Sequence, residues 1–326
     1  MESKITAIAN ELAKGDALKN QIPTQVGIYS LQTANDTIME MINQPDPKQL
    51  WRSFWYEWEL CILFSDTNKG KSVLAVQIAD EIAKLQKVLY FDFELSKKQF
   101  QMRYTNEEKR THIFSNNLIR VELESQDGLD DDAFEQLILG GLEDVVNSTG
   151  AKVLIIDNVT YLTSDATKGN LASLLMKKLK DLKKKLGLSI LVIGHTPKIS
   201  EYSPLCINNL AGSKMLSNYA DSMFAVGQSA KDKSMRYIKQ LKCRAGEYEY
   251  DAENVLVCNI IKTASFLYFD VLGTGTESEH LKQHTDEEIA AEVAEAKALK
   301  QQGLSSRQIA AKMGISDSRA YRLLKK

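Results

Sequence analysis

Cysteine is scarce in this sequence. The four in 326 residues, at positions 61, 206, 243 and 258, are scattered and lack the spacing of metal ligands. Cys61 and Cys258 lie in apolar runs, which reads as buried free thiols in a reducing cytoplasm. An excess of one charge is missing too. Lys plus Arg number 41 against 43 Asp plus Glu, for a net charge of −2. The global balance therefore argues neither for nor against nucleic acid, and any such surface must be a local patch. No apolar run is long enough to span a bilayer, and no secretion signal opens the chain, so a cytoplasmic protein without a membrane partner is expected. A length of 326 residues with 44% hydrophobic side chains suits two or three compact units, one of them with a full core.

What the chain does contain is a strand–loop–helix signal at 60–83, LCILFSDTNKGKSVLAVQIADEIA. A strand that stops at a tight loop and restarts as a helix aims backbone N–H groups and the positive end of a helix dipole at one place. Lys71 adds a mobile positive charge, and Ser72 a hydroxyl able to ligate Mg²⁺. Asp66, Thr67, Asn68, Lys69, Gly70, Lys71, Ser72 and Val73 would surround a triphosphate, which makes ATP with Mg²⁺ the expected ligand. The pattern G-x-x-x-x-G-K-[ST] has one departure, Ser65 in place of the first glycine. Serine gives up access to positive φ but still fits a loop start with ordinary dihedrals. The plain alternative is a polar surface loop that happens to contain GKS.

Residues 4–41 read as a polar helical arm with a thin apolar stripe, Ile5, Ile8 and Leu12, that packs on something else. Gln44-Pro45-Asp46-Pro47 breaks it. The aromatic run Trp51–Trp58 suggests either base stacking or, more simply, a strand packing its rings on a core. From 59 to 273 strands alternate with helices. Apolar runs at 61–64, 88–93, 118–123, 153–156 and 190–193 are separated by helical patterns at 71–84, 97–104, 131–146 and 171–186. Buried strands joined by helical crossovers mean an α/β fold, a mostly parallel sheet sandwiched by helices, with ligands at the carboxyl ends of the strands. After Asp221 the runs 222–226, 235–243, 255–261 and 265–271 read as an antiparallel edge extension. The glycine- and charge-rich stretch 273–280 reads as a linker, and the domain reading is an arm at 1–48, a core at 49–275, a linker at 276–284 and a small all-α domain at 285–326. In that last domain Thr285–Glu288 has capping-box spacing, and Ile289, Val293, Ala296 and Leu299 share a face. The two helices after it would bury Ile309, Ala310, Ile315 and Leu324.

Further candidates sit at strand ends. Asp157 closes the run VLIID, the form of a carboxylate that orients Mg²⁺ or its water. Glu94 follows the next strand and is placed to polarise a water, unless it only caps the helix from Lys97; Asp92 is a second candidate base. His195 or Thr196 would sense the γ-phosphate, or be a satisfied structural group. Lys242 and Arg244, at i and i+2 on a strand, point the same way, either as a solvated edge or as a cationic finger for a neighbouring subunit. The lysines of 177–185 lie on an amphipathic helix whose apolar side is Leu174, Leu175, Leu179 and Leu182.

With these motifs the chain resembles the RecA-like ATPase superfamily, nearest the plasmid RepA-type and DnaB-type hexameric helicases. The resemblance covers about 50–273 through the phosphate loop, YFDFEL, VLIIDN, IGHTPK, LAGSKMLSNYADSMFAV and K-x-R-x-G at 242–246. It implies phosphate and Mg²⁺ binding by Lys71 and Ser72, a catalytic base at Glu94, a metal-linked Asp157 and an Arg244 finger acting in trans within a homo-oligomer, in that branch a hexamer. It also implies channel-facing loops near 159–170 and 197–213, carrying Lys168 and Lys198, with Lys214 just beyond. The tail resembles a resolvase-type helix-turn-helix, GLSSRQIAAKMGISDSRAYRLLKK. That likeness would set Arg307, Ser318, Arg319, Arg322 and Lys325 against duplex DNA. A small protein–protein module is the alternative for the tail. The overall expectation is an ATPase that works on DNA, a helicase or remodelling factor of a mobile element. Its rivals are a nucleotide-gated DNA-binding regulator without motor activity and a scaffold with a decayed site.

Overall fold

The structure, a computed structural model, describes residues 24–123, 131–158, 169–196, 199–210 and 213–325. The chain divides into two compact units, Met1–Lys48 and Gln49–Lys326. In the first, β1 (Gln25–Val26) and β2 (Tyr29–Ser30) form a small hairpin turning at Gly27, whose φ is +57°. Helix α1 (Ala34–Met41) follows, its cap made by Thr33 Oγ1 accepting from Asp36 N. The expected helix at 4–41 is thus corrected within the described residues: a hairpin precedes α1, because Gly27 turns the chain back on itself. Ile5, Ile8 and Leu12 lie outside the described residues.

The second unit opens with β3 (Gln49–Trp51) and β4 (Trp55–Tyr56), two short antiparallel strands rather than one. Their rings serve the core. Trp51, Phe54 and Trp55 are buried, and Phe54 stacks on Tyr250 with centroids 4.8 Å apart, while Trp58 stays half exposed. Next come β5 (Leu60–Ser65), α2 (Lys71–Ala83), β6 (Val88–Asp92), α3 (Lys97–Arg103), β7 (Leu118–Val121), α4 (Asp131–Thr149), β8 (Val153–Asp157), α5 (Gly169–Leu186), β9 (Ser189–His195), α6 (Ser213–Tyr219), β10 (Ser222–Gln228), β11 (Met235–Lys242), β12 (Val255–Thr263) and β13 (Phe266–Gly275). Among the described residues these strands build a nine-stranded sheet in the order β13-β12-β11-β10-β5-β9-β8-β6-β7.

Strand side chains alternate between the two faces. Leu60, Ile62 and Phe64 of β5 share a cluster with Leu175, Leu179 and Leu182 of α5. Cys61 and Leu63 share the other with Leu74 and Ile78 of α2. Burial on both faces explains why these strands read as unbroken apolar runs. Strands β10, β5, β9, β8, β6 and β7 are parallel, and only β11, β12 and β13 are antiparallel to their neighbours. The run at 222–226 is therefore corrected from antiparallel to parallel, with Ser222 opposite Cys61. Helix α6 precedes it as a crossover, so β10 starts at the same end of the sheet as β5.

The stretch 273–280, expected as linker, is tied down. Strand β13 runs on to Gly275, and the turn Glu277–His280 buries both of its end residues. Glu277 Oε2 pairs with Lys239 Nζ at 2.5 Å and Oε1 accepts from Leu205 N at 2.7 Å, while His280 Nδ1 lies 2.8 Å from Ser229 Oγ. Charge pairing and burial hold this segment where its glycine and polar content suggested freedom. Helices α7 (Asp286–Gln301), α8 (Ser306–Met313) and α9 (Asp317–Leu324) follow, around a small core of Ala296, Leu299, Ile309, Ala310, Ala320 and Leu323. The capping boxes at Thr285 and Ser305 start the first two.

Gln77 joins α2 to β13: its Nε2 donates to Phe269 O at 3.2 Å and its Oε1 accepts from Phe269 N at 2.8 Å, both buried. Replacing it by alanine leaves two buried backbone groups unpaired. Q77A should cost about 1–3 kcal/mol, read as a lower urea midpoint at unchanged slope.

Candidate active site

The phosphate loop hangs between β5 and α2. Ser65, the residue in place of the first pattern glycine, is the last residue of β5, is fully buried and lies outside the left-handed region. Its Oγ donates to Asp66 O at 2.9 Å, so serine suits this loop entrance. Asn68 at φ +61° and Gly70 at φ +96° bend the loop. Gly70 is fixed sterically as well, since a Cβ there would meet Ile260 Cδ1 at 2.8 Å. Gly70 also caps α2 without any side-chain hydrogen bond, leaving the first-turn amides to face the cleft. Lys71 is buried, and its Nζ donates to Ser65 O and Asp66 O, each at 3.0 Å. Those two bonds leave one ammonium N–H for a ligand. Burial pulls the Lys71 pKa below the usual lysine range, opposed by Asp157, Glu94 and Asp66.

The ends of β6, β8 and β9 surround that ammonium. Asp157 is buried at the end of β8, its Oδ2 accepting from Tyr90 OH at 2.6 Å. Its Oδ1 is buried without a hydrogen-bond partner among the described residues. Burial raises the Asp157 pKa to about 6, against the pull of hydrogen bonding from Tyr90 and Ser72. A buried carboxylate oxygen left over beside the Ser72 hydroxyl is the donor set that a hard cation takes, so the residues present fit Mg²⁺.

Glu94 is exposed just past β6, and Asn158 joins it to His195. The amide Nδ2 lies 3.2 Å from Glu94 Oε2 and 2.7 Å from His195 Nε2. Donation from that amide requires Nε2 to accept, which makes the ring neutral. Burial and the Lys71 charge push the His195 pKa the same way, downward. Thr196 is buried, with its hydroxyl unpartnered among the described residues. The alternatives for 92–97 separate clearly. Ser96 and Gln99 make the capping box of α3, so Glu94 is no cap. Asp92 is taken up by the Glu94 and Leu95 amides and by Arg120 Nε at 2.9 Å, which leaves it no room as a base.

A cleft of about 480 Å³ brings Thr67, Asn68, Gly70, Lys71, Ser72, Val73, Glu94 and His195 together. Sequence reasoning missed Asn158, Arg103, Ser234, Arg236 and Ile260. Asn158 was signalled by its place right after the VLIID strand. Nothing in spacing separates Arg103 or Arg236 from the other arginines; α3 and β11 bring them to the cleft. The lining sets three cations, Lys71, Arg103 and Arg236, against one carboxylate, Glu94.

Lys242 and Arg244 are elsewhere. Lys242 stands opposite Met223 at the start of β10, and Asp221 just before it accepts from Leu60 N at the start of β5. The six residues of β5 separate this end from the phosphate loop, roughly 20 Å at 3.3 Å per residue. The two cations also do not project together as expected. Strand β11 ends at Lys242, whose Nζ bonds Ser217 O and Ala220 O at 2.7 Å each. Arg244 lies past the strand end and is 54% exposed, 3.1 Å from Asp221 Oδ1, while Lys183 grips that carboxylate at 2.6 Å.

In the tail Arg307, Ser318, Arg322 and Lys325 are exposed. Arg319 is half-buried, and its Nε and Nη2 both bond Glu292 Oε2, at 3.1 and 2.6 Å, fastening α9 to α7. On α5, Leu175, Leu179 and Leu182 are buried as expected, but Leu174 is exposed. Residues 159–168, 197–198 and 211–212, with Lys168 and Lys198, lie outside the described residues, as does the side chain of Lys214. Among the described residues, no helix is long and apolar enough to cross a membrane.

A family model described as AAA domain matches residues 31–201, just over half of the chain. Comparison with curated proteins finds no match.

An aspartate pKa raised on folding from 3.8 to about 6 lowers stability as pH climbs through that interval, and the whole loss is felt above it. D157N should therefore stabilise the nucleotide-free protein by roughly 2–3 kcal/mol at pH 8. The gain should vanish by pH 4, read by urea denaturation in chelator at both pH values, and Mg²⁺-dependent activity should be lost at any pH.

Proposed function

The chain belongs to the AAA domain family, and from that premise we propose a RecA-like ATPase, nearest the RepA and DnaB branch, that hydrolyses ATP at subunit junctions and acts on DNA. The observation that carries the reading is the cationic cleft at the strand ends, lined by the phosphate loop and by Glu94 and His195, which Asn158 bridges. Loop amides and Lys71 bind the phosphate tail. Ser72 and Asp157 would hold Mg²⁺, which when bound neutralises phosphate charge and polarises the γ-phosphoryl group. Glu94 takes the proton of the attacking water, and Asn158 keeps its carboxylate in place. Neutral His195, with Thr196, reads the γ-phosphate by hydrogen bonding.

Arg244 is too far from its own phosphate loop to serve it, so its contribution goes to a neighbouring copy, and the enzyme is a homo-oligomer, a ring of six in the branch it resembles. A finger supplied in trans is worth about 10³–10⁵ in rate. The tail acts as a helix-turn-helix on duplex DNA. Its Arg307, Arg322 and Lys325 are exposed, Arg307 with a 3.4 Å pair to Asp317, while Arg319 is held by Glu292 at 2.6 Å. Replication or mobilisation of a mobile element is the setting that suits these parts.

One observation favours a second reading, a nucleotide-gated DNA-binding regulator. The segment 199–205 shares a small cleft with Asp66 and Lys69 of the phosphate loop. It also holds the root of the tail: Tyr202 stacks on His284 with centroids 3.9 Å apart, and Glu201 pairs with Lys282 at 2.5 Å. A motor displaces a DNA strand at the expense of ATP, whereas a switch only changes its affinity for duplex.

K71A should abolish turnover. R244A should lose at least a hundredfold in turnover and keep nucleotide affinity, and mixing the two variants should restore part of the rate, measured as phosphate release with no DNA, single strands and duplex. No restoration removes the trans role. R307A and R322A should each weaken duplex binding and lower the log–log salt slope by about 1 if each meets a phosphate, measured by fluorescence anisotropy.

A further inference from the structure

Arg236 is 7% exposed and lines the same cleft as Glu94 and His195. Its Nε donates to Lys69 O at 3.1 Å, and its Nη1 to Lys233 O at 2.7 Å and Met235 O at 2.9 Å. All three partners are carbonyls. Among the described residues it pairs with no carboxylate, and burial lowers its pKa with no acidic neighbour to oppose the shift. A guanidinium withdrawn from water without an anion is costly, and a fold keeps one where an anion arrives. The three bonds leave both N–H groups of Nη2 uncommitted.

The surroundings say which anion. Arg236 touches the phosphate loop itself, through the Lys69 carbonyl. Its cross-strand partner on β10 is Gln228, whose Oε1 accepts from Lys69 Nζ at 2.5 Å. The β10–β11 pair thus holds Lys69 at both ends, side chain and carbonyl, one residue before Gly70. A planar fork suits phosphate oxygens.

We propose that Arg236 is a second phosphate-binding cation of the nucleotide site, fixed against the loop by the Lys69 carbonyl and offering Nη2 to the polyphosphate tail of the nucleotide. The proposal rests on the nucleotide reading above and adds a residue of β11 to it. Electrostatic binding to the tail makes the effect follow phosphate rather than base.

The test uses the full chain and two probes, Mg-ATP and Mg-tripolyphosphate, with affinities measured by calorimetry and folding checked by circular dichroism. R236Q should lose at least tenfold in affinity for both probes. R236K, which keeps the charge but not the fork, should lose less than tenfold, and it decides alone if R236Q does not fold. R236Q binding both probes within twofold of the wild type overturns the proposal, as does folded R236K losing tenfold or more. If R236Q loses Mg-ATP but keeps tripolyphosphate, the arginine serves the nucleoside and the proposal fails. A wild-type chain that binds neither probe overturns the nucleotide reading itself, a result distinct from any of these.

Discussion

An ammonium group folded back into the loop that carries it is the constraint around which the rest is arranged. Lys71 is buried at the start of α2, yet two of its three N–H groups close on carbonyls of its own loop. A cation in that position is tolerable only with negative charge or dipoles on every side. Carbonyls of residues 65 and 66 supply part of it, and Asp157, Glu94 and Asp66 supply the field. Asp157 carries the reciprocal strain, a carboxyl so enclosed that its pKa rises to about 6. The Asp157 charge eases the burial of Lys71.

The parallel sheet turns this local chemistry into a place. Strands β10, β5, β9, β8 and β6 start from one end, so the residues at their other ends, Ser65, Asp92, Asp157 and His195, meet at one rim. Antiparallel β11 starts at that rim and returns to the opposite one. It therefore presents Arg236 to its own phosphate loop and Lys242, with Arg244 beyond, to the far end. One strand contributes to two places about 20 Å apart. Asp221 anchors the far end through Leu60, Lys183 and Arg244.

Much of this is legible in the order of the residues alone. The strand–loop–helix at 60–83, the carboxylate that closes VLIID and the helix α5 announce themselves through period and punctuation, because burial on both faces leaves continuous apolar runs and turns need particular residues. The trihelical tail is legible for a similar reason, since its capping boxes and the glycine at 314 mark helix ends locally. Other features mislead, for physical reasons. The stretch 273–280 looks free because glycine and charge usually mean solvent; Glu277 is instead buried against Lys239, a partner 38 residues away. Nor does the sequence show that Arg319, on a basic helix, pairs with Glu292, 27 residues earlier.

The sequence by itself determined much of the local grammar of this protein: most strands and helices of the core, where a phosphate loop bends, and which carboxylates close or follow which strands. Those follow from backbone dihedrals, side-chain period and short-range hydrogen bonds, all of them set by residues close along the chain. Only the tertiary structure decided the parallel direction of β10, the bridge of Asn158 between Glu94 and His195, the arrival of Arg103 and Arg236 at the cleft, and the separation of Arg244 from it. These depend on strand order and on pairings between residues distant along the chain, and no local preference encodes which distant partner a buried charge will meet.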